Sequence, residues 1–259
     1  MEKLRVTPRQ KAAPPARRYR SKAEARKHVW DVLVEQKVAR FPFPTHGRIP
    51  NFAGAKEAAE RLLAHPVFRG VKCVKVNPDT PQRYVREGLL RRGITVIVPT
   101  PRLKGGFRKF DSAKIPADKI PEAASLSAGV RWGEEVPLEA LPPVDLIVTG
   151  SVAVTRDGHR CGKGHGYGDL EFGILRELGY PPVPVVTTVH ALQVLEHFPT
   201  DDHDIPVSVI VTPDEVIEVK NPPPSPQGID WASLPNEALE EMPVLKSLQA
   251  LKARSSRRS

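Results

Sequence analysis

Between Arg160 and Asp169 the chain reads Arg-Cys-Gly-Lys-Gly-His-Gly-Tyr-Gly-Asp, with glycine at every second position: Gly162, Gly164, Gly166 and Gly168. Lacking a Cβ, glycine lets main-chain N–H groups approach a ligand closely. Successive N–H groups in such a turn form an anion-binding nest. Arg160, Lys163 and His165 add side-chain donors, and Asp169 is placed to hold the Mg²⁺ of a nucleotide. Leu170 to Leu178 then carry helical spacing, so a helix N-terminus would point its partial positive charge into the loop. This is the chemistry of a triphosphate cradle, although a flexible glycine-rich surface loop has the same composition. The coincidence of loop, cations, acid and helix favours the cradle. The run is not a Walker A loop, since it lacks Gly-Lys-Ser/Thr. Nor is it a dinucleotide fingerprint, since its glycines alternate.

A second pair of cations lies near the N-terminus. Ser21-Lys22-Ala23-Glu24 has the pattern of a capping box and predicts a helix from Ser21 to about Ala39. Lys22 and Arg26 are four residues apart and share a face of it. Cations in a first turn oppose the helix dipole. An anionic partner is one explanation, and solvated surface charge is the other.

The segments between must position these groups. Phe41 to Phe52, rich in aromatics and proline, predicts a rigid irregular crossing, and a helix follows from about Ala53 to Ala64. Val71–Val76, Ile94–Val98, Val144–Thr149, Pro184–Val189 and Ile205–Thr212 read as buried strands, with Glu215–Val219 as a hairpin partner. A helix opens after Asn77-Pro78-Asp79-Thr80-Pro81 and ends at Gly93. Residues 103–140 read as an insertion or covering loop near the site. A short helix is expected from His190 to about His197. Beyond 221 the sequence suggests a proline-rich strap, a short helix and a frayed basic end. Alternating strands and helices predict an α/β fold: a three-layer, Rossmann-like open sheet, mostly parallel, with helices on both faces. Ligands of such sheets bind beyond the carboxyl ends of the strands.

Composition narrows the function classes. No apolar run approaches the ~20 residues that span a bilayer, and the N-terminus has no apolar signal core. Cys73 and Cys161 make neither a disulfide framework nor a zinc site, which predicts a reducing, cytoplasmic setting. The net charge of +9 is unevenly distributed: residues 1–27 hold ten cations and two acids, and residues 246–259 hold five cations and no acid. The stretch 28–245 is therefore left at −4. A mildly acidic body with basic ends argues against specific nucleic-acid binding, although such ends hold polyanions weakly. The expected organisation is a disordered basic tail over 1–20, one domain over 21–231, and a basic extension over 232–259.

The glycine run resembles the ATP-binding loop of the 5-formyltetrahydrofolate cyclo-ligases (methenyltetrahydrofolate synthetases), Arg-Leu-Gly-x-Gly-x-Gly-Tyr-Tyr-Asp. Arg160, Gly162, Gly164, Gly166, Tyr167 and Asp169 match it. Lys22-x-x-x-Arg26, Arg92-Gly93 before a strand ending at Pro99, and the stretch from Pro199 to Asp204 agree in order. Phe41–Phe52, Val98–Leu103, Val185–His190 and Gly228-Ile229-Asp230-Trp231 look like the methenyltetrahydrofolate synthetase domain-containing branch. The resemblance spans roughly residues 21–231. It implies ATP- and Mg²⁺-dependent ring closure of 5-formyltetrahydrofolate, a folate partner and no membrane. Lys22, Arg26, Arg160, Lys163, His165, Tyr167 and the four glycines would form the ATP site. Arg26, Lys163 and Tyr167 would be catalytic. Asp169 and Asp204 would hold the metal. Two departures stand out: Gly168 replaces the second Tyr, and His165 replaces a basic residue. The family's folate-holding residues after the first strand have Asn77 and Asp79 as nearest counterparts, joined by His165 and Tyr167. A non-catalytic folate or nucleotide binder of the same fold, or a protein associating with RNA through its basic tails, are the alternatives.

Overall fold

The computed structural model describes residues 17–125, 129–234 and 237–256. Residues 1–16, most of the stretch expected to be disordered, lie outside the described residues. Packing reaches back to Tyr19, which is buried against His28.

In chain order the elements are α1 (Lys22–Glu35), β1 (Ala39–Arg40), β2 (Asn51–Phe52), α2 (Ala55–Leu63), β3 (Cys73–Val76), α3 (Arg83–Arg91), β4 (Thr95–Pro99) and β5 (Phe107–Phe110). Next come α4 (Ile120–Ala123), β6 (Glu134–Val136), β7 (Leu146–Thr149), β8 (Ala153–Thr155), β9 (Arg160–Cys161) and α5 (Tyr167–Glu177). The chain ends with β10 (Val185–Thr188), β11 (Val194–Leu195), β12 (Val209–Val211), β13 (Val216–Glu218), α6 (Ala238–Glu241) and α7 (Pro243–Ser256).

Eight strands form the central sheet in the order β13-β12-β10-β7-β3-β4-β5-β6. The five from β12 to β4 are parallel; at the edges β13 pairs antiparallel with β12, β5 with β4, and β6 with β5. The parallel strands are buried along their whole length, Thr95 at the start of β4 excepted, as their near-continuous apolar sequences require. Successive side chains of a strand alternate between faces. Val74 and Val76 accordingly enter one core cluster with Leu62 and Leu89, while Cys73 joins the opposite one with Phe172, Leu245 and Leu248. Lys75 shares the second face with Cys73, so it points toward α5. The expected three-layer α/β architecture is the one observed. A small sheet, β11-β8-β9, carries α1 through a third cluster of Val29, Leu33, Val152 and Phe198.

Several local expectations change. Helix α1 stops at Glu35, and only half of its capping box forms: Ser21 Oγ accepts from the N–H of Glu24, whose carboxylate turns instead to the N–H of Arg20. Residues 103–140 are more than a covering loop, since β5 and β6 extend the sheet edge. After His190 there is a 3₁₀ turn (Ala191–Gln193) and the bridge strand β11, held by a capping box between His190 and Gln193. The C-terminal helix is fourteen residues long and buries Leu245 and Leu248. Helix α5 begins at Tyr167, three residues earlier than its apolar spacing indicates. Gly166, at φ +69°, supplies the left-handed residue that turns the loop into it.

Candidate functional site

Asn77 follows β3, Thr100 follows β4 and Gly150 follows β7, so the carboxyl ends of three parallel strands open onto one cleft of about 970 Å³. Its other walls are α1, the glycine run, the loop 201–204 and Glu241 of α6. Lys22, Arg26, Asn77, Asp79, Arg160, Gly162, Lys163, Gly164, His165, Gly166, Tyr167, Gly168, Asp169 and Asp204 all line it. Residues from four separated stretches therefore meet in one place, which neither composition nor spacing could show.

Lys22 reaches from α1 across the cleft. Its Nζ donates to Asp201 Oδ2 and to Asp204 Oδ1, each at 2.5 Å. Burial pulls the Lys22 ammonium down, but the hydrogen bonds and charges of the two carboxylates outweigh it and leave its pKa raised. Asp201 is lowered, first by the Lys22 hydrogen bond. The second oxygen of Asp204 accepts from the N–H of Asp201 at 2.8 Å. Asp201, His203 and Asp204 bring possible metal-binding atoms within 4.8 Å of one another; Asp169 is not among them.

Arg26 lies against Gly164, where a Cβ would fall 3.0 Å from its Nη2, and φ is +101°. It also donates to Cys161 Sγ at 3.4 Å. Burial still outweighs Arg26 and holds the Cys161 thiol above its ordinary pKa, so this cysteine is a neutral packing group. Lys163 pairs with Asp79 at 3.0 Å. His165 is exposed and stacks on Tyr167, with ring centroids 5.9 Å apart and planes 16° from parallel.

Arg160 is buried, and its donors serve the loop. Nε and Nη2 donate to Gly150 O at 3.0 and 2.9 Å, and Nη1 reaches Asp169 Oδ1 at 3.4 Å. A Cβ at Gly162 or Gly168 would stand 2.9 or 3.1 Å from Nη2, so the two glycines form the slot that admits this guanidinium. Asp169 occupies the third position of α5, where a carboxylate complements the helix dipole. Oδ1 accepts from Arg160 and from the N–H of Ile205 at 3.2 Å.

Sequence reasoning missed the floor of the cleft. Lys75 and Glu171, 1% and 4% exposed in their side chains, form a buried ion pair, and Asn77 Nδ2 donates to the same Glu171 oxygen at 3.1 Å. Burial raises the Glu171 pKa, and Lys75 opposes it. Arg86 fixes the neighbouring turn by donating to the carbonyls of Asn77 and Asp79 at 2.7 and 3.2 Å. A signal existed: Lys75 interrupts an apolar strand, and Glu171 stands on the apolar side of α5 beside Phe172, Ile174 and Leu175.

Oxygen donors suit Mg²⁺, which takes one or two protein carboxylates and completes its shell with phosphate and water. Asp169 and Asp204 fit that role in kind. In this structure the Lys22 ammonium lies between Asp201 and Asp204.

Known proteins bear on this arrangement. A methenyltetrahydrofolate synthase domain-containing protein of Bos taurus is 41% identical over 235 residues, covering 88% of this chain and 62% of the relative. The Homo sapiens protein of that name is 40% identical over 237 residues, covering 89% and 62%. The chain thus spans about three-fifths of the length of these relatives. Among solved structures, a 5,10-methenyltetrahydrofolate synthetase of Aquifex aeolicus superposes with a TM-score of 0.50 at 21% identity, covering 82% of this chain and 99% of that one. That likeness speaks for the fold. The model of the 5-formyltetrahydrofolate cyclo-ligase family matches residues 18–213, from the turn before α1 through the glycine run and past β12, and the chain belongs to this family.

Proposed function

We propose that the protein uses ATP and Mg²⁺ to convert 5-formyltetrahydrofolate to 5,10-methenyltetrahydrofolate, releasing ADP and phosphate. The observation that carries this is the meeting of Lys22, Arg26, the glycine run, Asp169 and Asp204 in one cleft at the carboxyl edge of the sheet. The triphosphate lies on the N–H groups between Gly162 and Gly168, at the start of α5. Lys22 and Lys163 exchange their carboxylate partners for phosphate oxygens, and Arg26 steadies the transferring group. Arg160 positions the loop from within. Tyr167 and His165 present a stacked aromatic wall to the folate. Asp169 and Asp204 would hold Mg²⁺, which neutralises phosphate charge when bound.

The formyl oxygen attacks the γ-phosphorus and ADP leaves. N10 of the folate then attacks the activated carbon, loses its proton and expels phosphate as the ring closes. Such chemistry needs positioning and charge neutralisation more than a side-chain nucleophile, and the cleft offers those. A second reading is a binder without turnover. It is favoured by the pairing of Lys22 with Asp204 and Lys163 with Asp79, which leaves both lysines neutralised before any ligand arrives. One assay separates the two: purified protein with 5-formyltetrahydrofolate and Mg-ATP, followed by methenyl absorbance. Product forms if the protein is the enzyme; bound ATP and folate without product establish the binder.

A further inference from the structure

Lys75 and Glu171 are an expensive pair to bury. Desolvating two charges commonly costs as much as their attraction returns, so such a pair is weak evidence of a stability role. Its place is informative. Lys75 projects from the centre of the parallel sheet toward α5, and Glu171 lines the cleft floor, with Asp79 and Arg160 as the nearest other charges. Among the described residues, the donors reaching Glu171, Lys75 Nζ and Asn77 Nδ2, both fall on Oε2. No donor among the described residues is seen at Oε1, and Glu171 lines the cleft. A carboxylate fixed by two donors on one oxygen is oriented to accept N–H groups from a ligand at the other.

A carboxylate on this floor is no partner for phosphate, which belongs at the glycine run. It fits the end of a ligand that presents N–H donors. Resting on the function proposed above, we infer that Glu171 is the specificity-determining residue for the folate ring, accepting from the N–H edge of its 2-amino-4-oxopyrimidine. Lys75 and Asn77 are positioning residues that hold the carboxylate.

The test is calorimetric binding of 5-formyltetrahydrofolate and of an analogue with methyl in place of the 2-amino group. Wild type is compared with Glu171→Gln and with the double variant Lys75→Met/Glu171→Leu, whose neutral pair keeps the core packed should the single variant fail to fold. ATP binding and thermal unfolding report on the fold. The wild type should bind the parent folate about 10- to 100-fold more tightly than the methyl analogue, as expected for a hydrogen bond to a charged group. The double variant should bind ATP normally and treat the two folates alike within about twofold. A folded double variant that still prefers the amino compound as the wild type does overturns the assignment of Glu171 and leaves the proposed activity standing. A wild type that binds neither folate overturns both.

Discussion

At the residue scale, three cations of the site, Lys22, Arg160 and Lys163, are already paired with carboxylates. Lys22 is shared by Asp201 and Asp204, and their influence raises its pKa despite burial, so it stays charged across the neutral range. Its substitution should therefore remove a charge from the phosphate end without a pH-dependent fold change near neutrality. Lys22→Met is expected to weaken ATP binding about 10- to 100-fold, measured by calorimetry, while folate binding changes little. Unchanged ATP affinity would remove Lys22 from the phosphate site. Gly164 supports the other cation. Its φ of +101° suits glycine alone, and a Cβ would press on the Arg26 guanidinium. Gly164→Ala should lower turnover about tenfold or more by displacing Arg26. Gly166→Ala, where φ is also positive but nothing lies within 4 Å, should disturb only the backbone. Equal losses in both variants would show that backbone strain, and not Arg26, is what matters.

At the element scale, α5 joins the site to the rest of the chain. Its first turn carries Tyr167 and Asp169 into the cleft, and its last turn is tied down through Glu177. That carboxylate accepts from Trp231 Nε1 at 3.1 Å and the Ile229 N–H at 3.2 Å, and pairs with Lys252 of α7. Burial raises the Glu177 pKa, but these partners outweigh it and leave it lowered. A lowered carboxyl contributes stability that is full above its unfolded pKa, about 4.3, and is lost as pH falls through the folded value. Glu177→Gln should be less stable than wild type at pH 7 and match it in strong acid, as read by thermal unfolding from pH 3 to 7; a constant difference across that range would exclude the charge as the cause. The ends of α5 also mark what a sequence can show. Alternating glycines, a following apolar helix and Asp169 are local signals, so the glycine loop and its helix were legible. The order of strands and helices likewise announced the sheet. For Glu171 the sequence signals only an apolar setting, and its pairing was not legible, because Lys75 lies 96 positions away. The inward role of Arg160 was hidden for the same reason: its acceptor is the Gly150 carbonyl at the end of another strand.

At the scale of the whole molecule, two clusters fill the two faces of the central sheet, and a third joins α1 to the small sheet. The cleft lies where these bodies meet, so its two sides depend on different packing. Lys22 and Arg26 are held by Val29 and Leu33 beneath α1, whereas α5 rests on a cluster that includes the C-terminal helix. The basic end of the chain is thus tied to the core. Leu248 is fully buried with Leu245, Phe107 and Leu138, while Lys246, two residues earlier, faces solvent. Leu248→Ala leaves a cavity and should cost about 2–5 kcal/mol. For a chain of this size that lowers Tm by several degrees at least. Lys246→Ala should stay within about 0.5 kcal/mol of wild type. Thermal unfolding of both variants checks this. A variant as stable as wild type would mean that α7 does not complete the core.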